Sequence, residues 1–300
     1  MENNQNPNIR RPSFFRLIIP LIIFFVAEFV AEVVVLTIVS FPEVAASGTL
    51  DYAQAVSIFE DKLIEYSNVI SAVTAAIAIA WGAYLIKKDK KRSYQDGTYV
   101  TYDKVPAIFF AFPLLLGVFA AATGNNLLSI SGLYEKFGAV YDELSNYIFT
   151  GGIVLEIIVA GILSPIAEEV VFRGLLYKRM RENMSVAPAI IISSLVFGMI
   201  HGNIIQAVYA GLLGALMAYS YERFKTILAP ILFHIGANVF SVIGTETSLL
   251  EQIINSNALT ITYIAGSAIL TLLFMWLINE KVSPKVLIPA GGVPEESHDN

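Results

Sequence analysis

The chain contains no cysteine. Disulfides, thiolate metal ligands and a cysteine nucleophile are therefore excluded together. Charge is scarce as well: 15% of the 300 residues are Asp, Glu, Lys or Arg, against about 25% in an ordinary soluble domain. Histidine occurs three times. Any hydrolytic chemistry must run on carboxylate, imidazole, hydroxyl or metal-bound water. The net charge of -6 offers no electrostatic footing for nucleic acid.

Apolar residues make up 56% of the chain and the mean hydropathy is +0.66, which marks a polytopic membrane protein. A polar stretch, residues 1–16, precedes an apolar run from Leu17 to Val39. That run is longer than the ~7–15 residues of a signal-peptide core, so it reads as an uncleaved anchor. Further apolar segments follow at Asn68 to Ile86, Pro106 to Ile130, Tyr147 to Ala167, Val186 to His201, Ile204 to Tyr221, Ile227 to Gly244 and Ala258 to Ile278. Each approaches the ~20 residues a helix needs to cross ~30 Å of hydrocarbon, although the fifth is short. The expected fold is an all-α bundle of about eight transmembrane helices.

Of the 19 basic residues, all but Lys62 and Lys136 fall in segments that share one side if the amino terminus is inside. Cytoplasmic loops hold the Lys and Arg excess, so both termini are expected in the cytoplasm and the protein in the cell membrane, multi-pass. The expected divisions are a tail at 1–16, N-terminal spans and loops at 17–146, a membrane core at 147–280 and a disordered cytoplasmic tail at 281–300, where His298 has no role. The stretch from Tyr52 to Ile64 could form an amphipathic helix on the outer surface.

Nearly all the polar chemistry lies between Gly161 and Asn238. Glu168, Glu169 and Arg173 spell EExxxR, Phe197 and His201 FxxxH, and His234 and Asn238 HxxxN. Glu169 and Arg173, four apart on a helix, share a face and can pair. Glu168 is rotated from Glu169 by about 100° and is free to face a cavity. Apolar surroundings favour the neutral form of a carboxyl, which suits a group that must take a proton from water. Ionisable groups inside spans are costly, and two histidines beside a Glu pair in successive segments form a constellation rather than scattered helix–helix glue. Glu28, Glu32 and Glu156 also lie within spans and read as cavity lining or helix contacts.

These three motifs, in this order and spacing, resemble the CAAX protease and bacteriocin-processing (CPBP, or Abi) family of intramembrane endopeptidases. Phe197-Gly198 before His201, Gly211 to Gly214, and Leu228-Ala229-Pro230-Ile231-Leu232-Phe233 before His234 add to the likeness, which covers Gly161 to Asn238. The resemblance implies Glu168 as activator of the hydrolytic water with His201 as its partner, and His234 with Asn238 as stabilisers of the oxyanion. Glu169 and Arg173 take supporting roles. The substrate it implies is a membrane-associated peptide or protein: a prenylated CAAX protein, or a leader or bacteriocin precursor cut near the cytosolic face. The family is described both as metalloprotease-like and as glutamate-dependent. Glu168, His201 and His234 could supply three ligands to Zn with water in the fourth place, yet Asn238 is an unlikely zinc ligand. The HExxH of zinc-dependent site-2 enzymes, the GxGD of aspartyl enzymes and a GxSG elbow are missing. Two rivals stand beside this reading: a non-proteolytic immunity or scaffold protein, and a proton-coupled transporter using Glu28, Glu32 and Glu156.

One conflict of depth follows. If the fourth span ends near Ala167 at the inner surface and the fifth starts there near Val186, His201 lies ~20 Å deeper than Glu168. The expected remedy is a cavity opening to the cytosol, with an amphipathic segment from Gly174 to Glu182 at its rim.

Overall fold

The computed structural model describes residues 14–46, 51–133, 135–138, 151–247 and 257–288. The expectations attached to Arg10 and Arg11, to the start of the fourth span at Tyr147 and to the tail after Ile288, with His298, lie outside those residues.

Where described, every expected apolar segment is helical. α1 runs Phe14–Ala46, α2 Tyr52–Glu65, α3 Ser67–Gln95 and α4 Ala111–Ile130. α5 is one continuous helical run over 153–180, followed by α6 Val186–Met199, α7 Ile204–Phe224, α8 Leu228–Glu246 and α9 Asn257–Lys281. The chain is an all-α bundle with a single two-stranded antiparallel ribbon among the described residues, β1 Thr101–Tyr102 with β2 Val286–Ile288. Among the described residues six helices, α1, α3, α4 with its leading turn, α7, α8 and α9, are long and apolar enough to span a membrane. α6, at 14 residues, is shorter.

Polar side chains cap the starts of two of these helices. Asp51 and Gln54 form a reciprocal capping box at the start of α2, whose residues are all at least partly exposed. The backbone turns at Gly202 with φ 75°, and Asn203 then caps α7 by accepting from the Gln206 N–H at 2.8 Å.

The helix α5 departs most from expectation. It does not stop near Ala167 but runs to 180, and it contains two wide-wound π stretches, Val159–Leu163 and Phe172–Tyr177. The segment from Gly174 to Glu182 is therefore no amphipathic rim, since Gly174, Leu175, Leu176 and Tyr177 are all buried in the bundle. The extension also removes the conflict of depth. Glu168 lies 12 residues, about 18 Å, from the end of α5, and His201 lies 15 residues, about 22 Å, from the start of α6. A short turn joins those two ends, so both residues reach a similar level.

The segments rich in Lys and Arg meet at that same end. The Arg16 guanidinium donates to Glu182 at 2.6 and 3.1 Å and pairs with Asp89 at 3.0 Å, and Arg179 donates to Asp89 at 2.7 Å. Glu222 accepts from Arg181 at 2.6 Å and from Tyr177 at 2.8 Å, and it pairs with Lys225. Arg223 donates to the carbonyls of Asn279 and Val282. One polar girdle thus ties α1, α3, α5, α7 and the end of α9 together.

Small residues set the closest helix crossing, as they do where lipid removes the hydrophobic drive for association. A Cβ at Gly117 of α4 would fall 1.9 Å from the Phe233 carbonyl of α8, and one at Gly236 of α8 would fall 2.3 Å from the Leu114 carbonyl. Either alanine therefore forces two backbones apart. Gly117→Ala and Gly236→Ala should each lower the thermal unfolding temperature in detergent, at a cost of about 1–3 kcal/mol or more. Gly266→Ala in α9, where nothing lies within 4 Å, should be neutral or stabilising by up to about 1 kcal/mol. Equal effects at all three positions would sink this account of the crossing.

Candidate active site

The sequence places Glu168 and Glu169 on the regular turn Ser164–Val171, between the two π stretches of α5. A π turn adds one residue and leaves a carbonyl outside the ladder. Here the Ser164 N–H reaches Val159 O, five residues back, and Ala160 O instead accepts from the Asn238 side-chain amide at 2.9 Å. Asn238 thereby fastens α8 to the first π stretch, and its amide keeps a second N–H.

The second contact from α8 lies one turn earlier. His234 Nδ1 is 3.0 Å from Glu169 Oε1, and that same oxygen accepts from Arg173 Nη1 at 2.5 Å. Glu169 and Arg173 have no exposed surface. An acceptor shared with a guanidinium is a carboxylate, so His234 Nδ1 carries a proton and its Nε2 is the ring atom left for chemistry. That Nε2 lies 3.9 Å from Glu168 Oε2. Glu168 retains 18% of its side-chain exposure, and Oε2 has no hydrogen-bond partner. The imidazole thus stands between two carboxylates that differ in kind: one buried and neutralised by Arg173, the other partly open and uncommitted.

Arg173 is held from three sides. Its Nη2 donates to the Gly214 carbonyl at 3.0 Å, and the guanidinium carbon lies 4.4 Å from the centroid of Phe197. A Cβ at Gly214 would come within 3.1 Å of Arg173 Nη2 and 3.2 Å of the Phe197 ring, so a larger residue would press on both groups. A desolvated cation–π contact of this kind is worth about 2 kcal/mol.

His201 joins the cluster by another route. At the end of α6 the Phe197 carbonyl is one of the orphan acceptors of a helix terminus, and His201, four residues on, takes it through Nδ1 at 2.8 Å. A carbonyl can only accept, so here also Nδ1 is protonated and Nε2 is free. The Phe197 ring then makes edge contacts with His201 at 5.1 Å, with His234 at 5.7 Å and with Phe172 at 5.0 Å. The spacing of FxxxH thus has a physical cause in the last turn of a helix.

Of the residues expected from sequence, Glu168, Glu169, Arg173 and His234 meet directly, and His201 reaches them across Phe197. Asn238 lies one turn away, bonded to backbone. Glu28 on α1 is within electrostatic range of Glu32 and Glu168, whereas the acidic neighbour of the fully buried Glu156 is Glu246. The pairing of His234 with both carboxylates, the Gly214 carbonyl, the π stretch behind Asn238 and the position of the Phe197 ring were not foreseen. The Phe in FxxxH and the glycines of α7 were the visible traces of two of these. Among the described residues no group of three His, Asp or Glu side chains is placed to hold a metal ion. The zinc alternative with Glu168, His201 and His234 as ligands therefore gains no support from the described residues, and Glu169, the carboxylate nearest His234, is committed to Arg173.

Comparison with known proteins supports the same region. Residues 150–240 match the family described as "Type II CAAX prenyl endopeptidase Rce1-like". This segment is like the CAAX-protease superfamily of membrane peptidases. The chain is 36% identical over 89 residues to "Putative membrane peptidase YdiL" of Bacillus subtilis (strain 168), a stretch covering 30% of this chain and 36% of that relative. The match therefore spans about a third of each protein. No solved structure matches the chain. The likeness is to the superfamily and does not single out its bacteriocin-processing branch.

Removing one partner of a buried ion pair leaves an uncompensated charge. Arg173→Ala should therefore destabilise the protein by about 3–5 kcal/mol, read as a lowered unfolding temperature and lost monodisperse protein. The double variant Glu169→Gln with Arg173→Met should recover part of that loss, because neither charge remains. A double variant no more stable than Arg173→Ala would refute the pairing.

Proposed function

We propose that this protein is an intramembrane endopeptidase that hydrolyses a peptide bond of a membrane-associated substrate without a metal ion. The observation that carries the reading is the unequal pair of carboxylates about His234. Glu169 is neutralised by Arg173 and cannot serve as a base, while Glu168 has an unpartnered oxygen facing His234 Nε2 at 3.9 Å.

In this reading Glu168 takes a proton from water as the water oxygen attacks the carbonyl carbon, and it returns that proton to the leaving amine. His201, with Nδ1 satisfied by Phe197 O, offers Nε2 to position the water. The oxyanion is met by the second N–H of Asn238 and by His234 Nε2 when it carries a proton. Glu169 fixes the ring of His234 throughout.

The convergence of the basic segments at one end of the bundle favours that end as the cytosolic face, with eight spans in the cell membrane and both termini inside. By helical rise Glu168 and His201 lie about 18 and 22 Å from the helix ends at that face, and His234 about 9 Å from the start of α8. The family likeness favours a lipid-modified CAAX-type protein, or a leader or bacteriocin-type precursor, as the substrate. The separate company of Glu28 and Glu156 weakens the transporter reading, since the acidic residues form no single relay.

The test is cleavage of quenched membrane peptides, prenylated and unprenylated, by purified protein in nanodiscs. Glu168→Gln should lower kcat by about 10²–10⁴-fold, the usual worth of a positioned general base, and His201→Ala should fall in the same range. A strong chelator should leave the parent unchanged. Loss of activity on chelation with rescue by Zn²⁺ would overturn the metal-free mechanism, and a parent inert on every such peptide would overturn the peptidase reading.

A further inference from the structure

The contact geometry about Phe197 assigns that residue a role which the three motif pairs do not state. We propose that Phe197 is the positioning residue of the site, its ring fixing the orientation of both imidazoles relative to Glu168. This rests on the peptidase reading for its consequence in catalysis, though not for its geometry.

Three groups, two from other helices and one from the turn after α6, rest on this one ring. Arg173 of α5 lies over its face at 4.4 Å, and His201 after α6 and His234 of α8 meet it at interplanar angles of 76° and 82°. These arrangements follow the ring quadrupole, whose face is negative and edge positive. Phe197 is 1% exposed and also packs edge-on to Phe172 of α5, so its own rotamer is set by the core. Among the described residues the polar and aromatic contacts of the His201 ring are both with Phe197, one through its carbonyl and one through its side chain. His201 therefore takes its place relative to Glu168 and His234 through Phe197.

An aliphatic side chain at this position keeps the apolar character and the backbone carbonyl, and so the protonated Nδ1 of His201. It loses the flat surface that both imidazoles share. The expected defect is in orientation rather than in binding: substrate affinity stays, and the turnover step slows.

The measurement combines kinetics with the chain's sparing use of histidine. In a His298→Gln background only His201 and His234 contribute imidazole signals, so ¹⁵N-histidine NMR in nanodiscs reports on the site directly. Phe197→Leu should shift both sets of ring resonances and lower kcat about 100-fold with KM nearly unchanged, as expected for a misplacement of about 1 Å. Phe197→Tyr, which keeps the ring, should restore parent-like resonances and most of the activity. Thermal unfolding of each variant is followed in parallel. Imidazole signals unmoved in Phe197→Leu, a kcat equal to the parent, or an effect on KM alone would overturn the proposal. So would a loss of thermal stability with kcat and resonances intact, since that is packing without positioning. If Phe197→Leu does not fold, Phe197→Tyr decides: resonances and kcat as far from the parent as those of His201→Ala would overturn the role given to the ring. A parent without peptidase activity would end the functional reading, and the resonance shifts alone would then decide whether the Phe197 ring orients the imidazoles.

Discussion

A guanidinium and a carboxylate with no exposed surface, inside a membrane bundle, constrain everything around them. Taking both charges out of water costs several kcal/mol for each ion, and their attraction offsets this only when the remaining donors and acceptors are also met. Glu169 and Arg173 go part of the way through a specific set of neighbours, the Gly214 carbonyl, the Phe197 face and the His234 Nδ1–H, while Glu169 Oε2 and Arg173 Nε stay without a hydrogen-bond partner. Each neighbour comes from a different helix. The ion pair is thus less a source of stability than a reason for α5, α6, α7 and α8 to adopt one arrangement.

That arrangement needs helices that are locally irregular and locally bare. The π stretches of α5 add a residue on each side of the Glu pair, and the first of them frees the carbonyl that Asn238 takes. The bare surfaces lie at Gly117 and Gly236, which let α4 and α8 approach to backbone contact beside Phe233 and His234. The depth of His234 against Glu169 is therefore set from behind, by a helix that contributes no chemistry. Pairing around the site also explains why the basic end of the bundle is stitched so densely by Arg16, Arg179, Arg181 and Glu222: that girdle fixes the ends of the helices whose middles carry the site.

The sequence made the helices legible because hydrophobic runs of about 20 residues have one common cause, the thickness of the bilayer. It marked out the candidate site residues because charge inside such runs is rare. The end of α5 was hidden for the same reason, since Arg173, Lys178 and Arg179 look like a loop to any count of apolar residues, whereas tertiary partners satisfy Arg173 and Arg179 within a helix. Wide-wound turns leave no mark in composition. The role of Phe197 was written in FxxxH yet could not be read from it, because a phenyl ring acts through where it is placed and not through titratable chemistry.

Two adjacent glutamates could be taken for redundancy, and the geometry argues the opposite. Neighbours on a helix point about 100° apart, so one can face the core and the other a cavity. If both were ionised and unpaired on either side of one imidazole, each would oppose the other's charge. Arg173 removes that conflict by binding Glu169 alone. The cluster is left with a single uncommitted carboxylate, and His234 between the two is held by the first and presents Nε2 to the second. Exchanging the two positions would pair the guanidinium with the partly open carboxylate and bury the free one, so the order of the motif, a free Glu followed by a paired Glu four residues before Arg, follows from which side of α5 faces the core.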